Sequence, residues 1–179
     1  MKTMNSFKQN WTFNHTLVIG LMMTAFSGFS QTWAGKLNTT DKYLYPGNDL
    51  FVSSNGKGEK VESDYVLNFN ADGNLYIKKG GSYGKIIWSS NTKDKNPIKL
   101  KVQDNGDMVL YNSKEEKVET SVWSTGTAGR GGSGTFLKMQ IDGNLVLYNG
   151  SWTGNDGDAL WATGTCGGVL NGCGSEGTR

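Results

Sequence analysis

Residues Leu137 to Thr165 read LKMQIDGNLVLYNGSWTGNDGDALWATGT, and the same plan occurs twice earlier in the chain. Leu67 to Thr92 reads LNFNADGNLYIKKGGSYGKIIWSSNT, and Leu100 to Thr127 reads LKVQDNGDMVLYNSKEEKVETSVWSTGT. Each copy holds an Asp-Gly or Asn-Gly tip, an alternating stretch, a variable polar loop and a Trp-[Ser/Ala]-[Ser/Thr]-[Asn/Gly]-Thr ending. Trp88, Trp123 and Trp161 lie 35 and 38 residues apart, and the insertions fall only in the loop before the tryptophan. Self-similarity at such a period marks a repeat architecture, in which no single unit has enough apolar surface to fold alone.

The third copy fixes the register of its hairpin. Leu137 and Met139 alternate with Lys138 and Gln140, and Leu145 and Leu147 alternate with Asn144, Val146 and Tyr148. A three-residue loop, Ile141-Asp142-Gly143, with glycine in the left-handed position, pairs Met139 with Leu145 and brings both apolar faces together. A two-residue loop puts Gln140 on the core face, so the period-two pattern selects three. The tip recurs as Ala71-Asp72-Gly73 and Asp104-Asn105-Gly106. Three such sheets around a shared axis bury Leu67, Phe69, Leu75, Ile77 and their equivalents, with Trp88, Trp123 and Trp161 as the structural core at the axis. Trp152, in a polar glycine-rich loop, is the candidate surface aromatic.

Composition agrees with an all-β chain: 26 glycines stand against two prolines, and aromatic residues make up 11%. No cluster of basic residues offers a nucleic-acid footprint. Residues 1–34 differ from the rest. Lys2 and Lys8 precede the apolar run Thr16 to Phe26, and Thr32-Trp33-Ala34 is a small-x-small site before Gly35. This is the pattern of a secretory signal peptide, cut after Ala34 or earlier, after Ser27 or Ser30. The run is well short of the roughly 20 residues that span a bilayer. Its removal leaves 16 basic and 16 acidic residues, no membrane span, and no histidine, because His15 is the only one. Ser-His-Asp, Cys-His and His-zinc chemistry are thereby excluded from residues 35–179. Cys166 and Cys173 sit in a Gly/Cys-rich tail, 166–179, and are expected to form one local disulfide in an oxidising compartment.

The outer face of the third hairpin is Gln140-x-Asp142-x-Asn144-x-Val146-x-Tyr148. It resembles, at all five positions, the QxDxNxVxY signature of the bulb-type, snowdrop-agglutinin-like mannose-binding lectins. The likeness covers about residues 37–165, since the three tandem copies and their tryptophan endings also match. It implies a β-prism II fold, three four-stranded antiparallel sheets in pseudo-threefold array, over a domain at 35–165, with one potential sugar site per sheet. It also implies roles: Asp142 with Asn144 on the axial 2-hydroxyl of mannose, Gln140 on O3 and Tyr148 on O4. The chemistry suits these residues. Asp142 only accepts, Gln140 and Asn144 both donate and accept, Tyr148 carries a rotatable hydroxyl, and Val146 gives an apolar floor for ring carbons.

The other two hairpins depart from the signature. The second, Gln103-x-Asn105-x-Asp107-x-Val109-x-Tyr111, exchanges Asp and Asn and is a candidate second carbohydrate site. The first, Asn70-x-Asp72-x-Asn74-x-Tyr76-x-Lys78, shortens Gln to Asn and replaces the floor and the tyrosine. It is expected to be degenerate, either closed to mannose or altered in preference. The expected protein is therefore a secreted, extracellular or periplasmic lectin for mannose-containing glycans, without cofactor or metal. Three alternatives stand beside it: a prism-fold interaction module with decayed sites, a lectin-like bacteriocin, and a β-trefoil. The last needs a Gln-x-Trp in each repeat, whereas this chain has it only at Gln31-Thr32-Trp33. Asp156 and Asp158 form a close carboxylate pair in a glycine-rich loop with no identifiable partner acid or base, so no enzyme is expected. Plant members of the family exchange C-terminal strands between subunits; the glycine-rich, crosslinked tail leaves little chain for that, and the oligomeric state is otherwise open.

Overall fold

The computed structural model describes residues 32–34, 36–38, 43–51, 65–150, 156–168 and 172–173. The apolar run of the expected signal peptide and Trp152 lie outside them. Thirteen strands follow one another among the described residues. The N-terminal stretch supplies β1 (Thr32–Ala34), β2 (Lys36–Asn38), β3 (Tyr43–Leu44) and β4 (Asp49–Phe51). The first repeat forms β5 (Tyr65–Phe69), β6 (Leu75–Lys79) and β7 (Lys85–Ser89). The second forms β8 (Lys99–Val102), β9 (Met108–Tyr111) and β10 (Ser121–Ser124). The third forms β11 (Thr135–Met139), β12 (Leu145–Asn149) and β13 (Asp158–Ala162). No helix among these residues is long and apolar enough to cross a membrane.

Each repeat is a three-stranded antiparallel meander, and each receives an outer strand from the same N-terminal stretch. β4 pairs with β5, β3 with β8, and β2 with β11, all antiparallel. β2, β3 and β4 thus lace the three sheets together. The second and third sheets have the expected four strands. The first has a fifth: β1 runs parallel to β4, with Trp33 opposite Leu50. That strand comes from residues before the expected cleavage point, so a cut after Ala34 returns the first sheet to four strands and leaves β2 in place.

Period-two alternation sends one face of the repeat strands inward. Leu67, Phe69, Leu75, Ile77, Leu100, Val102, Leu110, Leu137, Met139, Leu145 and Leu147 are fully buried in one cluster, which Leu44 and Leu50 join. In all three sheets the last strand carries a register shift just before its tryptophan. Trp88 pairs with Ile77, Trp123 with Leu110 and Trp161 with Leu147, while Ile87, Val122 and Leu160 are the extra residues of the bulge. A bulge brings two consecutive side chains to one side of a strand. This explains why each tryptophan follows an aliphatic residue: both pack on the core. The three indoles meet edge to face, with centroids 5.8 to 6.3 Å apart, in a closed triangle. Edge-to-face pairs of this kind contribute about 0.5–1.5 kcal/mol beyond their buried area.

Candidate carbohydrate-binding site

The three-residue tips form as the register requires. Met139 lies opposite Leu145, the Gln140 amide donates to the Asn144 carbonyl at 2.9 Å, and the Gly143 amide donates to the Gln140 carbonyl at 3.0 Å. Gly143 has φ +91°, and a Cβ there would stand 2.5 Å from a Tyr65 ring carbon, so both backbone and space demand glycine. The tip therefore turns sharply enough to place Gln140, Asp142, Asn144, Val146 and Tyr148 on one outer face.

The third signature residue has a role that the sequence did not disclose. Asn144 is buried, and its Oδ1 accepts from the Thr163 hydroxyl at 3.1 Å and from the Gly164 and Thr165 amides at 2.9 and 3.4 Å. Backbone N–H groups only donate, which fixes the amide orientation: oxygen faces the Trp-Ala-Thr-Gly-Thr ending and Nδ2 faces away. Asn74 does the same for the first repeat, accepting from Ser90 Oγ at 2.8 Å and the Thr92 amide at 2.9 Å. Asp107 does so for the second, accepting from Thr125 Oγ1 at 2.6 Å and the Thr127 amide at 3.3 Å. The third signature residue is the lock between hairpin and tryptophan ending. A carboxylate serves as well as an amide there, since the lock uses only an acceptor.

What remains of each residue after the lock decides what a ligand meets. In the third repeat one Asp142 oxygen accepts from the Asn144 amide at 2.9 Å. The second oxygen and Asn144 Nδ2 make no hydrogen bond among the described residues. Gln140 Nε2 lies 2.7 Å from the Tyr148 oxygen, and Tyr148 also stacks on Phe136 with centroids 5.6 Å apart. Burial, then the nearby Asp156 charge, raises the Tyr148 pKa, so its hydroxyl keeps a proton to donate at neutral pH. Val146, on the same strand as Tyr148, is buried. An open groove of about 360 Å³ follows Lys138 to Asp142 along the same hairpin. The site thus offers an Asp142 acceptor and an Asn144 donor at the tip, with the Gln140 amide joined to the Tyr148 phenol on the same hairpin.

The second repeat keeps this set in altered order. Gln103 Nε2 lies 2.6 Å from the Tyr111 oxygen, and Asn105 Oδ1 accepts from the Asp107 amide at 3.1 Å. The tip group left over is now an amide, and the buried partner is a carboxylate, so donor and acceptor have exchanged places. Burial raises the Tyr111 pKa, with the Glu116 charge adding to it. Glu116 takes hydrogen bonds from Tyr43 at 2.7 Å, Lys99 at 3.0 Å and Lys101. Burial alone would push its carboxyl up, but these bonds and the Lys101 charge outweigh it and hold the pKa at about 2. A larger hollow of about 540 Å³ lies beside this cluster, lined by Tyr43, Tyr45, Ile98 and Glu116.

The first repeat has turned the same groups inward on themselves. Asp72 accepts from the Asn74 amide at 2.9 Å with one oxygen and from the Tyr76 hydroxyl at 3.1 Å with the other. Asn74 Nδ2 donates to Ser89 Oγ at 2.9 Å. Lys78 donates to Asn68 Oδ1 at 3.2 Å and to the Ser82 carbonyl at 2.9 Å. Ser89 is the residue after the tryptophan, and its counterpart in the third repeat is Ala162, which has no acceptor to offer. Ala162 is a determinant missed by sequence reasoning, although the Ser/Ala variation after tryptophan was its visible trace. The suspected pair Asp156 and Asp158 is split by its surroundings: Asp156 pairs with Lys138 at the site, and Asp158 opens β13. Cys166 and Cys173 form the expected disulfide.

Three sheets in pseudo-threefold array, each presenting a tipped hairpin outward, define a β-prism II protein. No family model and no curated protein matches the chain. Solved structures do. A Marasmius oreades lectin is 25% identical over 79% of this chain and 99% of its own, with a TM-score of 0.55. A Polygonatum cyrtonema lectin, solved with a monomannoside, is 26% identical over 70% of this chain and 100% of its own, at 0.49. The mannose-specific snowdrop (Galanthus nivalis) agglutinin, solved with methyl-α-D-mannoside, is 25% identical over 64% and 95%, at 0.43. The repeat signatures, the prism and the likeness to the Marasmius oreades lectin support a bulb-lectin-like family.

Proposed function

We propose that the protein is a secreted lectin that binds mannose-containing glycans through its third repeat, with the second repeat as a rearranged site and the first as a structural copy. The observation that carries this reading is the state of the tip groups. Asp142 keeps one oxygen and Asn144 its Nδ2 for an incoming hydroxyl, whereas Asp72 and Asn74 of the first repeat spend theirs on Tyr76 and Ser89. A sugar hydroxyl is donor and acceptor at once, so it fits between an unfilled carboxylate oxygen and an unfilled amide. Gln140 and Tyr148, joined to each other, then meet the next two hydroxyls, and Val146 meets the ring carbons. A shallow site of this kind binds weakly, on the order of millimolar, with avidity supplied by multivalent display.

Secretion is supported by the Lys2 and Lys8 start, the short apolar run and the Thr32-x-Ala34 site. N-terminal sequencing of exported protein is expected to begin at Gly35 or at one of the two earlier cuts; a chain still beginning at Met1 contradicts it. Function is tested on an immobilised-mannose column, where the protein is expected to be retained and eluted by free mannose. Passage without retardation favours the second reading, an interaction module without sugar binding, which the closed first repeat already exemplifies.

A further inference from the structure

Every hairpin tip in this prism rests on the chain that follows its own repeat. The first tip packs on Pro97, whose Cδ would lie 2.7 Å from a Cβ at Gly73. The second tip is bonded: the Asn105 carbonyl accepts from the Gly129 amide at 2.8 Å and the Gly131 amide at 3.3 Å. Both supports belong to segments that continue into the next repeat, whose strands anchor them. The third repeat is followed instead by the Gly/Cys-rich tail. There the Asp142 carbonyl accepts from the Gly167 amide at 2.6 Å, and Gly167 belongs to the turn Cys166–Gly168. The turn is held from two sides. Lys79 of the first sheet donates to the Gly167 carbonyl at 3.3 Å and lies over the Tyr65 ring, which also backs Gly143. On its far side the disulfide ties Cys166 to Cys173, and the Cys166 amide points at the Cys173 sulfur at 3.2 Å.

We propose that the Cys166–Cys173 disulfide is a clamp that positions Asp142, so that sugar affinity at the third repeat depends on the oxidised tail. The inference rests on the third repeat being the sugar site. Closing the eight-residue ring limits the conformations open to the tail and keeps the Gly167 amide facing the Asp142 carbonyl. Asp142 must hold its outer oxygen beside Asn144 Nδ2, and a tip free to rock loses that pairing before the prism loses any core contact. Cys166 and Gly167 are thus positioning residues, acting on the sugar only through Asp142.

The test is a mannose titration followed by backbone amide NMR on the full secreted chain in three forms: oxidised, reduced with dithiothreitol, and C166S/C173S. With the tail opened, third-hairpin affinity is expected to fall about two- to tenfold, the weight of one hydrogen bond. The Gly167 and Asn144 amides should exchange faster, the Leu147 amide should not change, and reoxidation should restore the wild-type curve. Unchanged affinity in both opened forms overturns the proposal, as does a loss in which the Leu147 amide exchanges faster too, since that reports general unfolding. If the oxidised protein shows no mannose binding, the lectin reading fails on its own. The clamp is then judged by exchange alone: faster Asn144 exchange on reduction upholds it, and unchanged exchange refutes it.

Discussion

The first and third repeats share a backbone and differ in where their polar groups point. Both have a three-residue tip, an acceptor (Asn74 or Asn144) locked onto the tryptophan ending, and an indole in the same triangle. Yet the first repeat satisfies Asp72, Asn74 and Lys78 from within, and the third leaves the equivalent tip atoms of Asp142 and Asn144 unfilled. The prism tolerates either outcome because the lock uses only one atom of each tip residue. Stability is carried by the inward faces, binding by what the outward faces leave over, and two substitutions, Tyr76 for a small floor residue and Ser89 for Ala, separate one from the other.

If the two repeats are equal as scaffold, Trp88→Ala and Trp161→Ala should cost similar stability, about 3–5 kcal/mol each for truncating a core indole. Chemical denaturation of both variants checks this, and a clearly milder effect in either repeat breaks the symmetry. A smaller effect is expected on affinity. Ala162→Ser puts into the third repeat the hydroxyl that occupies Asn74 Nδ2 in the first, and should weaken mannose binding about two- to tenfold with unchanged Tm. Calorimetry that finds wild-type affinity in this variant removes Ala162 from the account.

The smallest effect belongs to the second repeat. Glu116 has its pKa lowered from 4.5 to about 2 in the folded state, so its bonds to Tyr43, Lys99 and Lys101 stabilise the fold fully above pH 4.5. That contribution is lost as pH falls from about 4.5 toward about 2. The Tm difference between wild type and Glu116→Gln should therefore be greatest at neutral pH and vanish near pH 2. A difference that stays constant across that range assigns the loss to packing instead.

Much of this was legible in the sequence. Alternation alone fixed the Met139–Leu145 register, because a one-residue slip sends Gln140 into the core. The aliphatic-Trp pairs marked the axis, though not the bulge that turns both inward. The strands at Lys36–Asn38 and Tyr43–Leu44 left no signal: two or three residues show no period, and their partners are about 60 to 100 residues away in sequence. The Asn144 lock and the Gly167 support were hidden for the same reason. They are single bonds between distant segments, and a motif of alternate residues records that a polar group is required without recording which neighbour requires it.

The most direct test of the account is calorimetry of mannose binding to Asp142→Asn beside Asp72→Ala and Asn105→Ala. The substitution keeps the shape of Asp142 and replaces an ionised acceptor by a neutral amide. Affinity should fall roughly ten- to a hundredfold, as expected for losing a charge-assisted hydrogen bond. Asp72→Ala should bind as the wild type does, because Asp72 is occupied by Tyr76 and Asn74. Asn105→Ala should remove at most a weaker second site. Mannose binding that survives Asp142→Asn unchanged but disappears in either of the others would contradict the assignment of the third repeat as the working site.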